Sequence, residues 1–483
     1  MSLVSRPWAP TDRPVPRWFV RANCVCAWGI AIASYWGANR PATNDFERFD
    51  HLWLSYLFFL LFAGWGTAYL AYATRLLQQP PVSLSGKALV LPLASVMVPL
   101  LVSFPVGSRD VFAYVFYGKM WGQYGANPYL HAPSEFVHDR WYELLQAWWK
   151  EGVAGYGPLF ILQTRVLFAL SGNNIVAAIA ASKLFNLLVL TVAIWLWHQL
   201  SEDRYFGATV PAAALLFVWN PLVLFEGLSS AHNDLVMAAC LLGAYVYWVR
   251  ERWLGFAALW TLSVWYKWYS LLLGPVFLFW WCKQFGRTRW LIHGIGMAAV
   301  VIGVSSLSLV PYGDVAYTIL RKPWDIKIGS SLFPTELPPT LWPLFWFTLE
   351  SGWFEVHVGR QLFDLARYIT AGILAVAWFF RRRRAEPRPE FVAQDCFVVL
   401  LILHAFLVPV LWPWHLLPAV VFGLLAGDKR LVAVTAAITV IAVLSYFLTF
   451  SVATLAVLLA GASVWVMRRA TAERESAMKA RDI

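Results

Sequence analysis

Charge is what this sequence has least of. Only 13% of its 483 residues are Asp, Glu, Lys or Arg, about half of the roughly 25% usual in soluble domains. A chain so short of charge cannot cover itself with water-facing side chains, which excludes an ordinary soluble globule. Cysteine is scarce as well. Cys24, Cys26, Cys240, Cys282 and Cys396 all lie within or at the ends of apolar stretches. The i,i+2 spacing of Cys24 and Cys26 suits neither one helix face nor a CxxC redox motif, so the cysteines are expected to pack or face lipid. No small-residue cleavage site follows the first apolar stretch, about residues 18–37, which is therefore expected to remain as a first span rather than leave as a signal peptide. No basic stretch forms a folded module of its own, so the net charge of +11 is not a nucleic-acid footprint and no nucleic-acid partner is expected.

What the sequence does hold is apolar. It is 60% hydrophobic and 17% aromatic, in repeated runs of roughly 17–25 residues, the length of a membrane-crossing helix. In lipid every backbone polar group needs an internal partner, so the runs are expected to be helices. The expected fold is all-α: a polytopic integral membrane protein of about 14 transmembrane helices, one multi-pass domain over 1–483. The spans lie near 18–37, 52–74, 88–106, 174–199, 208–226, 235–250, 253–266, 268–283, 289–311, 361–380, 395–411, 413–427, 430–449 and 451–468. Residues 253–283 read either as one long tilted helix or as a hairpin of two short ones.

The basic clusters "RERW" (250–253), "KQFGRTR" (283–289), "RRRR" (381–384), "DKR" (428–430) and "RR" (468–469) sit at the ends of these runs. Lysine and arginine concentrate on the cytoplasmic side. Both termini are then cytoplasmic, and two long loops, 107–173 and 312–360, face the opposite compartment. This orientation requires that 156–170, which carries Gln163 and Arg165, does not cross; an interfacial helix is expected there. The stretch 341–354 is expected on the same outer face. Long loops are disproportionately functional.

Four groups of ionisable residues gather near that face, where buried charge is costly and marks function. The stretch "SRDVFAYVFYGKMWGQYGANPYLHAP" (108–133) opens with Arg109 and Asp110. Ser108 is expected to cap a helix with Asp110 in its first turn, where an acid suits the dipole. The plain alternative is a locally paired helix start; the functional one is a carboxylate base at the water–lipid boundary. "FEGLSSAHNDLVM" (225–237) places Glu226, His232, Asn233 and Asp234 between two apolar runs, more than a turn requires. Lys267 in "VWYKWYSLLL" must snorkel, pair or meet an anion. His415 in "LWPWHLLPAV" lies beside Pro413 in a Trp-rich belt. Together these form one base with several cationic and hydrogen-bonding donors, suited to a phosphorylated lipid.

The same segments, with "YGPLF", "WNPLVLFEGLSSAHNDLVMAACLL" and "YKWYSLLLGPV", resemble multi-pass GT-C glycosyltransferases over roughly 100–420. They are most similar to the bacterial polyprenyl-phosphate-mannose-dependent α-mannosyltransferases. The resemblance implies an enzyme of the bacterial plasma membrane with its active site on the extracytoplasmic face. It implies a lipid-linked sugar donor and a glycan or glycolipid acceptor. It makes Asp110 the catalytic base of an inverting transfer. Lys267, His232, Asn233, Arg109 and His415 are expected at the donor phosphate, Asp234 and Glu226 at sugar hydroxyls, and Tyr114, Trp121 and Tyr129 as sugar-stacking rings. Family members often carry two adjacent acids where this chain has Arg109–Asp110. A divalent ion prefers several oxygen ligands, so neither metal nor other cofactor is expected. Two spans precede the one that leads to Asp110, so its loop is not literally the first. The competing classes are a lipid or sugar transporter or flippase, and a GT-C transferase acting on protein or lipid A. A transporter should show internal repeats, and none relates the two halves. Sugar, acceptor, linkage and oligomeric state stay open at the level of sequence.

Overall fold

The computed structural model describes residues 15–38, 52–78, 86–201, 209–284, 287–325, 356–407 and 412–447. The regular structure of these residues is entirely helical. In chain order the helices are α1 (Arg17–Ala38), α2 (Leu52–Gln78), α3 (Gly86–Val102), α4 (Asp110–Gln123), α5 (Ala147–Lys150), α6 (Pro158–Ser171), α7 (Ile175–Ser201), α8 (Thr209–Val218), α9 (Pro221–Leu224), α10 (Asp234–Val249), α11 (Trp253–Tyr266), α12 (Gly274–Gln284), α13 (Arg287–Leu309), α14 (Ala316–Asp325), α15 (Val356–Arg382), α16 (Pro389–Ile402), α17 (Leu417–Leu425) and α18 (Lys429–Leu444). The expected last span at 451–468 and the stretch 341–354 lie outside the described residues.

Three described helices, Trp53–Gln78, Ile175–Ser201 and Leu291–Arg321, are long and apolar enough to cross a membrane. Only 6% of the apolar window of Leu291–Arg321 is buried inside the protein, leaving Ile292, Ile295, Ile302 and Leu307 bare. Such a face needs an apolar solvent, and the chain is a membrane protein.

Several expected spans are broken. The run read as one span over 208–226 is two pieces, Val210–Val218 and Pro221–Ser229, bent by 42°. Pro221 forbids a helical conformation at the preceding residue, and Asn220 turns that break into a cap. Its side chain accepts the backbone N–H groups of Leu222 at 3.0 Å and Val223 at 3.1 Å. Its amide nitrogen donates to Tyr69 Oη at 3.1 Å and Thr439 Oγ1 at 3.0 Å. The second piece ends in a π-turn, Phe225–Ser229, and Ala231 follows at a φ of +55°, a left-handed conformation unusual for a residue with a Cβ. The 253–283 stretch is a hairpin. α11 stops at Tyr266, Lys267 is extended (φ −151°, ψ 118°), and a 3₁₀ turn, Trp268–Leu273, leads into α12. Phe277 of α12 returns onto Phe256 of α11, with ring centroids 4.9 Å apart.

Two packed regions follow from this pattern. The larger runs through α8, α9, α10, α16, α17 and α18, which are buried nearly all round, with α1–α3 and α7 outside them. The smaller lies under the 107–173 loop and joins α4 and α6 to Trp265 and Tyr312. α4 lies against α6 so closely that a Cβ on Gly118 would strike the Thr164 carbonyl. Gly157 donates its N–H to the Tyr266 carbonyl at 3.1 Å, and a Cβ there would collide with the Trp265 carbonyl. The loop is thereby seated on the break at Lys267.

Candidate active site

A cavity of about 150 Å³ lies where α4, the loop after it, the break at Lys267 and the Trp412–His415 segment meet. Asp110, Lys267 and His415 line it together with Trp148, Trp149, Tyr156, Trp412 and Trp414. The lining is aromatic, with one carboxylate and one ammonium.

Asp110 is the first residue of α4 and is 4% exposed. The N-cap position is Arg109, not Ser108, and it makes no side-chain capping bond. Ser108 acts one residue later, its hydroxyl oxygen accepting the Asp110 N–H at 3.2 Å. The two carboxylate oxygens have different neighbours. Oδ1 accepts the indole N–H of Trp149 at 2.9 Å. Oδ2 accepts the Tyr114 hydroxyl at 3.4 Å and lies 4.0 Å from His232 Nδ1. Burial pushes the Asp110 carboxyl up to about 6, against the pull of the Trp149 N–H and the Lys267 ammonium. Desolvation dominates because so few donors reach this carboxylate.

Behind Asp110 the contacts continue inward. Tyr114 Oη is 3.2 Å from His232 Nδ1 and accepts the Tyr156 hydroxyl at 3.3 Å. His232 is fully buried, stacked on Trp414 at 3.9 Å, with Nε2 3.5 Å from Glu226 Oε2. Glu226 Oε1 accepts the Tyr446 hydroxyl at 2.7 Å. A second group centres on Asp234, the first residue of α10. Lys267 donates to both its oxygens, at 2.8 and 2.7 Å, and the Tyr269 hydroxyl donates to Oδ1 at 3.0 Å. The Tyr269 hydroxyl also lies 3.4 Å from the His415 carbonyl, and the His404 ring stands 6.2 Å from the His415 ring.

The floor is held by α7. Lys183 donates to the carbonyls of Leu100 and Leu101 at 3.2 Å and of Ser103 at 2.6 Å, at the end of α3 where helical partners run out; the Leu100 carbonyl also accepts the Ser103 hydroxyl at 2.7 Å. Asn186, one turn on, donates to the carbonyls of Gly227 at 2.9 Å and His232 at 3.0 Å. The lead-in to Asp110 and the turn carrying His232 are thus tied to one helix.

The structure brings Asp110, Tyr114, His232 and Glu226 into one chain of contacts, with Lys267 and Asp234 beside it. Asn233 takes the N-cap position of α10, and its amide, 2% exposed, has no hydrogen-bond partner among the described residues. Arg109 is half-buried at the start of α4, outside the cavity lining. Tyr129 is elsewhere: its hydroxyl donates to the Tyr156 carbonyl at 2.7 Å and its ring faces Tyr312. Trp121 packs on Tyr312 beneath the Arg165 guanidinium. Among the described residues no three His, Cys, Asp or Glu side chains are arranged to hold a metal ion.

Sequence reading did not single out Trp149, Tyr156, Trp414, Tyr269, Tyr446, Lys183 or Asn186. A signal existed for Lys183 and Asn186, polar residues one turn apart in an apolar helix. The aromatic residues carried none, because rings at a membrane interface are expected in any case.

A family model described as alpha-(1->6)-mannopyranosyltransferase, N-terminal domain, matches residues 22–283. That range holds Asp110, Glu226, His232, Asp234 and Lys267. Alpha-(1->6)-mannopyranosyltransferase A of Mycobacterium tuberculosis is 26% identical over 362 residues, covering 71% of this chain and 66% of its own length. Alpha-(1->6)-mannopyranosyltransferase B of Corynebacterium glutamicum is 22% identical over 351 residues, covering 67% of this chain and 56% of its own. The A protein of C. glutamicum is 24% identical over 180 residues, covering 36% and 34%. The match spans just under two thirds of the first relative and less of the others.

Proposed function

The chain belongs to the alpha-(1->6)-mannopyranosyltransferase family, and we propose that it moves mannose from a polyprenyl-phosphate donor to a glycan or lipid-linked acceptor. Asp110 is the general base. It takes the proton of the acceptor hydroxyl as that oxygen attacks the anomeric carbon. The bond from that carbon to the phosphate oxygen breaks, and its electron pair leaves with polyprenyl phosphate. A single displacement inverts the centre, so an α-linked product requires a β-linked donor. A base titrating near 6 is ionised at neutral pH, yet basic enough to hold a proton in the transition state.

Lys267 is the cation on the wall shared with Asp110 and is assigned to the leaving phosphate. Asp234, with both oxygens on Lys267, holds that ammonium in place rather than binding sugar. Trp148, Trp149 and Tyr156 offer rings to a sugar face. The proposed reaction is written without a divalent metal: among the described residues Asp110 is the only carboxylate that lines the cavity, and hard cations take several oxygen ligands. The protein crosses the membrane about 14 times as one multi-pass domain, with both termini cytoplasmic and the cavity on the extracytoplasmic side.

The observation that carries this reading is the buried Asp110 carboxylate lining an aromatic cavity together with Lys267. The test is an assay of purified protein with polyprenyl-phosphate mannose and a glycan acceptor, products read by mass spectrometry. Asp110→Asn is expected to lose at least about a hundredfold in turnover with its melting temperature retained, and a chelator to leave the wild type unaffected. Wild-type turnover by Asp110→Asn would sink the assignment.

A further inference from the structure

The Asp110 carboxylate has a cavity side and an inner side. Trp149, on Oδ1, lines the cavity; Tyr114, on Oδ2, does not. Inward from Oδ2 stand Tyr114 Oη at 3.4 Å, His232 Nδ1 at 3.2 Å from that oxygen, and Glu226 Oε2 at 3.5 Å from His232 Nε2. Glu226 and His232 are both fully buried. An acid and an imidazole are costly to bury, and neither lines the cavity. Packing alone does not explain why two such groups stand end to end behind a carboxylate.

We propose that Tyr114, His232 and Glu226 form a proton relay that empties Asp110 inward while substrate fills the cavity. The relay rests on the assignment of Asp110 as base. At about 150 Å³ the cavity is small, so a bound acceptor and donor sugar separate Asp110 from solvent when its carboxyl carries the abstracted proton. That proton passes to Tyr114 Oη as the tyrosine's own hydrogen passes to His232 Nδ1, and the hydrogen on His232 Nε2 passes to Glu226. One proton has then moved from the acceptor hydroxyl to Glu226, with no change of oxidation state. After product release the same steps run backward, and the proton leaves through the open cavity.

The parts suit these roles. The Glu226 carboxylate facing Nε2 selects the tautomer with its hydrogen there, leaving Nδ1 as acceptor for Tyr114. Trp414, stacked at 12° to the imidazole, fixes the ring plane. Asn186 holds the His232 carbonyl and Tyr446 holds Glu226 Oε1. At 3.5 Å His232 Nε2 and Glu226 Oε2 make no hydrogen bond, and the relay requires this contact to tighten when substrate binds, as long contacts in substrate-free sites do. The other charged or titratable groups facing the chain are Lys267 with Asp234, Tyr117, Tyr156, His415 and Tyr446. None of them bridges two members of the relay.

Two near-isosteric variants decide the matter. Glu226→Gln keeps an acceptor for Tyr446 but offers His232 an N–H, which reverses the tautomer and blocks Nδ1 as acceptor. Tyr114→Phe cuts the path at its first step. Each is expected to lower kcat about tenfold or more with both KM values near wild type. The acid limb of the pH–rate profile should stay near its wild-type position in Glu226→Gln, because the limb belongs to Asp110. It should move up in Tyr114→Phe, which removes a donor to the carboxylate. The wild type should show a curved proton inventory in mixed H₂O and D₂O, and both variants a linear one, with Glu226→Asp restoring the curve. If Asp110→Asn is inactive while both variants keep wild-type kcat, limb and inventory, the relay is overturned and the base stands. Loss of kcat with an unchanged limb and inventory also overturns it, as a purely structural role. Wild-type activity in Asp110→Asn overturns the base itself.

Discussion

At the scale of single residues, burial sets the chemistry. Asp110 sits at a helix start beside a lysine, features that ordinarily keep a carboxylate strongly acidic. Desolvation outweighs them, and the group titrates near 6. The sign follows from the proposed role: a base must be ionised, and the ionised form is lost as pH falls through about 6. Turnover under saturating donor should therefore be flat above roughly pH 7 and drop about tenfold per pH unit below the limb. A profile flat to pH 4.5 would show that the group in charge is an ordinary exposed acid or none. Asp234, a few residues from His232, has the opposite fate. The Lys267 ammonium occupies both its oxygens, which supports the proposal of Asp110 as the base. Two acids that look equivalent in the sequence are separated by which of them the lysine reaches.

At the scale of elements, the site depends on where helices stop. α3 ends on carbonyls taken up by Lys183 of α7, the break before Pro221 starts the turn that returns as His232, and α11 stops short to present Lys267. Each ending needs a partner for its orphaned backbone groups, and each partner comes from a different helix. Lys183→Met keeps the apolar stem and removes the donor. The Leu100 carbonyl keeps the Ser103 hydroxyl, so the cost, about 1–3 kcal/mol, falls on the Leu101 and Ser103 carbonyls and is read as a lower melting temperature in detergent. Because the same carbonyls lead into Ser108 and Asp110, turnover should fall with little change in either KM. An unchanged melting temperature would mean that α3 ends without help from α7.

At the scale of the whole molecule, apolar surface calls for lipid, and the basic clusters carry the proposed orientation. Ile292, Ile295, Ile302 and Leu307 are well exposed along one helix, which only lipid or detergent can cover. The basic clusters 250–253, 283–289 and 381–384 belong together at one end: Gln284 donates to Glu251 Oε1 at 3.2 Å, Lys283 donates to the carbonyl of Arg382 at 3.1 Å, and Arg382 pairs with the buried Asp395 at 2.8 Å. In the proposed orientation, which puts that end in the cytoplasm, acceptor supplied outside sealed right-side-out vesicles should be mannosylated. Activity confined to inverted vesicles would reverse the orientation.

The sequence by itself determined the solvent and the alphabet of the fold. Charge scarcity and run length require helices in lipid, and those depend only on local composition. It also determined where polar residues interrupt the runs, so Asp110, Glu226, His232, Asp234 and Lys267 were legible as a set. Tertiary structure alone decided their pairing. Whether Lys267 meets Asp234 or Asp110, whether His232 faces the cavity or lies behind Asp110, and which ring Tyr129 packs on turn on contacts between residues distant in sequence. Trp149 and Tyr446 approach their carboxylates from 39 and 220 residues away. A single sequence encodes such contacts only through the packing of the whole bundle, because no local periodicity specifies which helix end meets which.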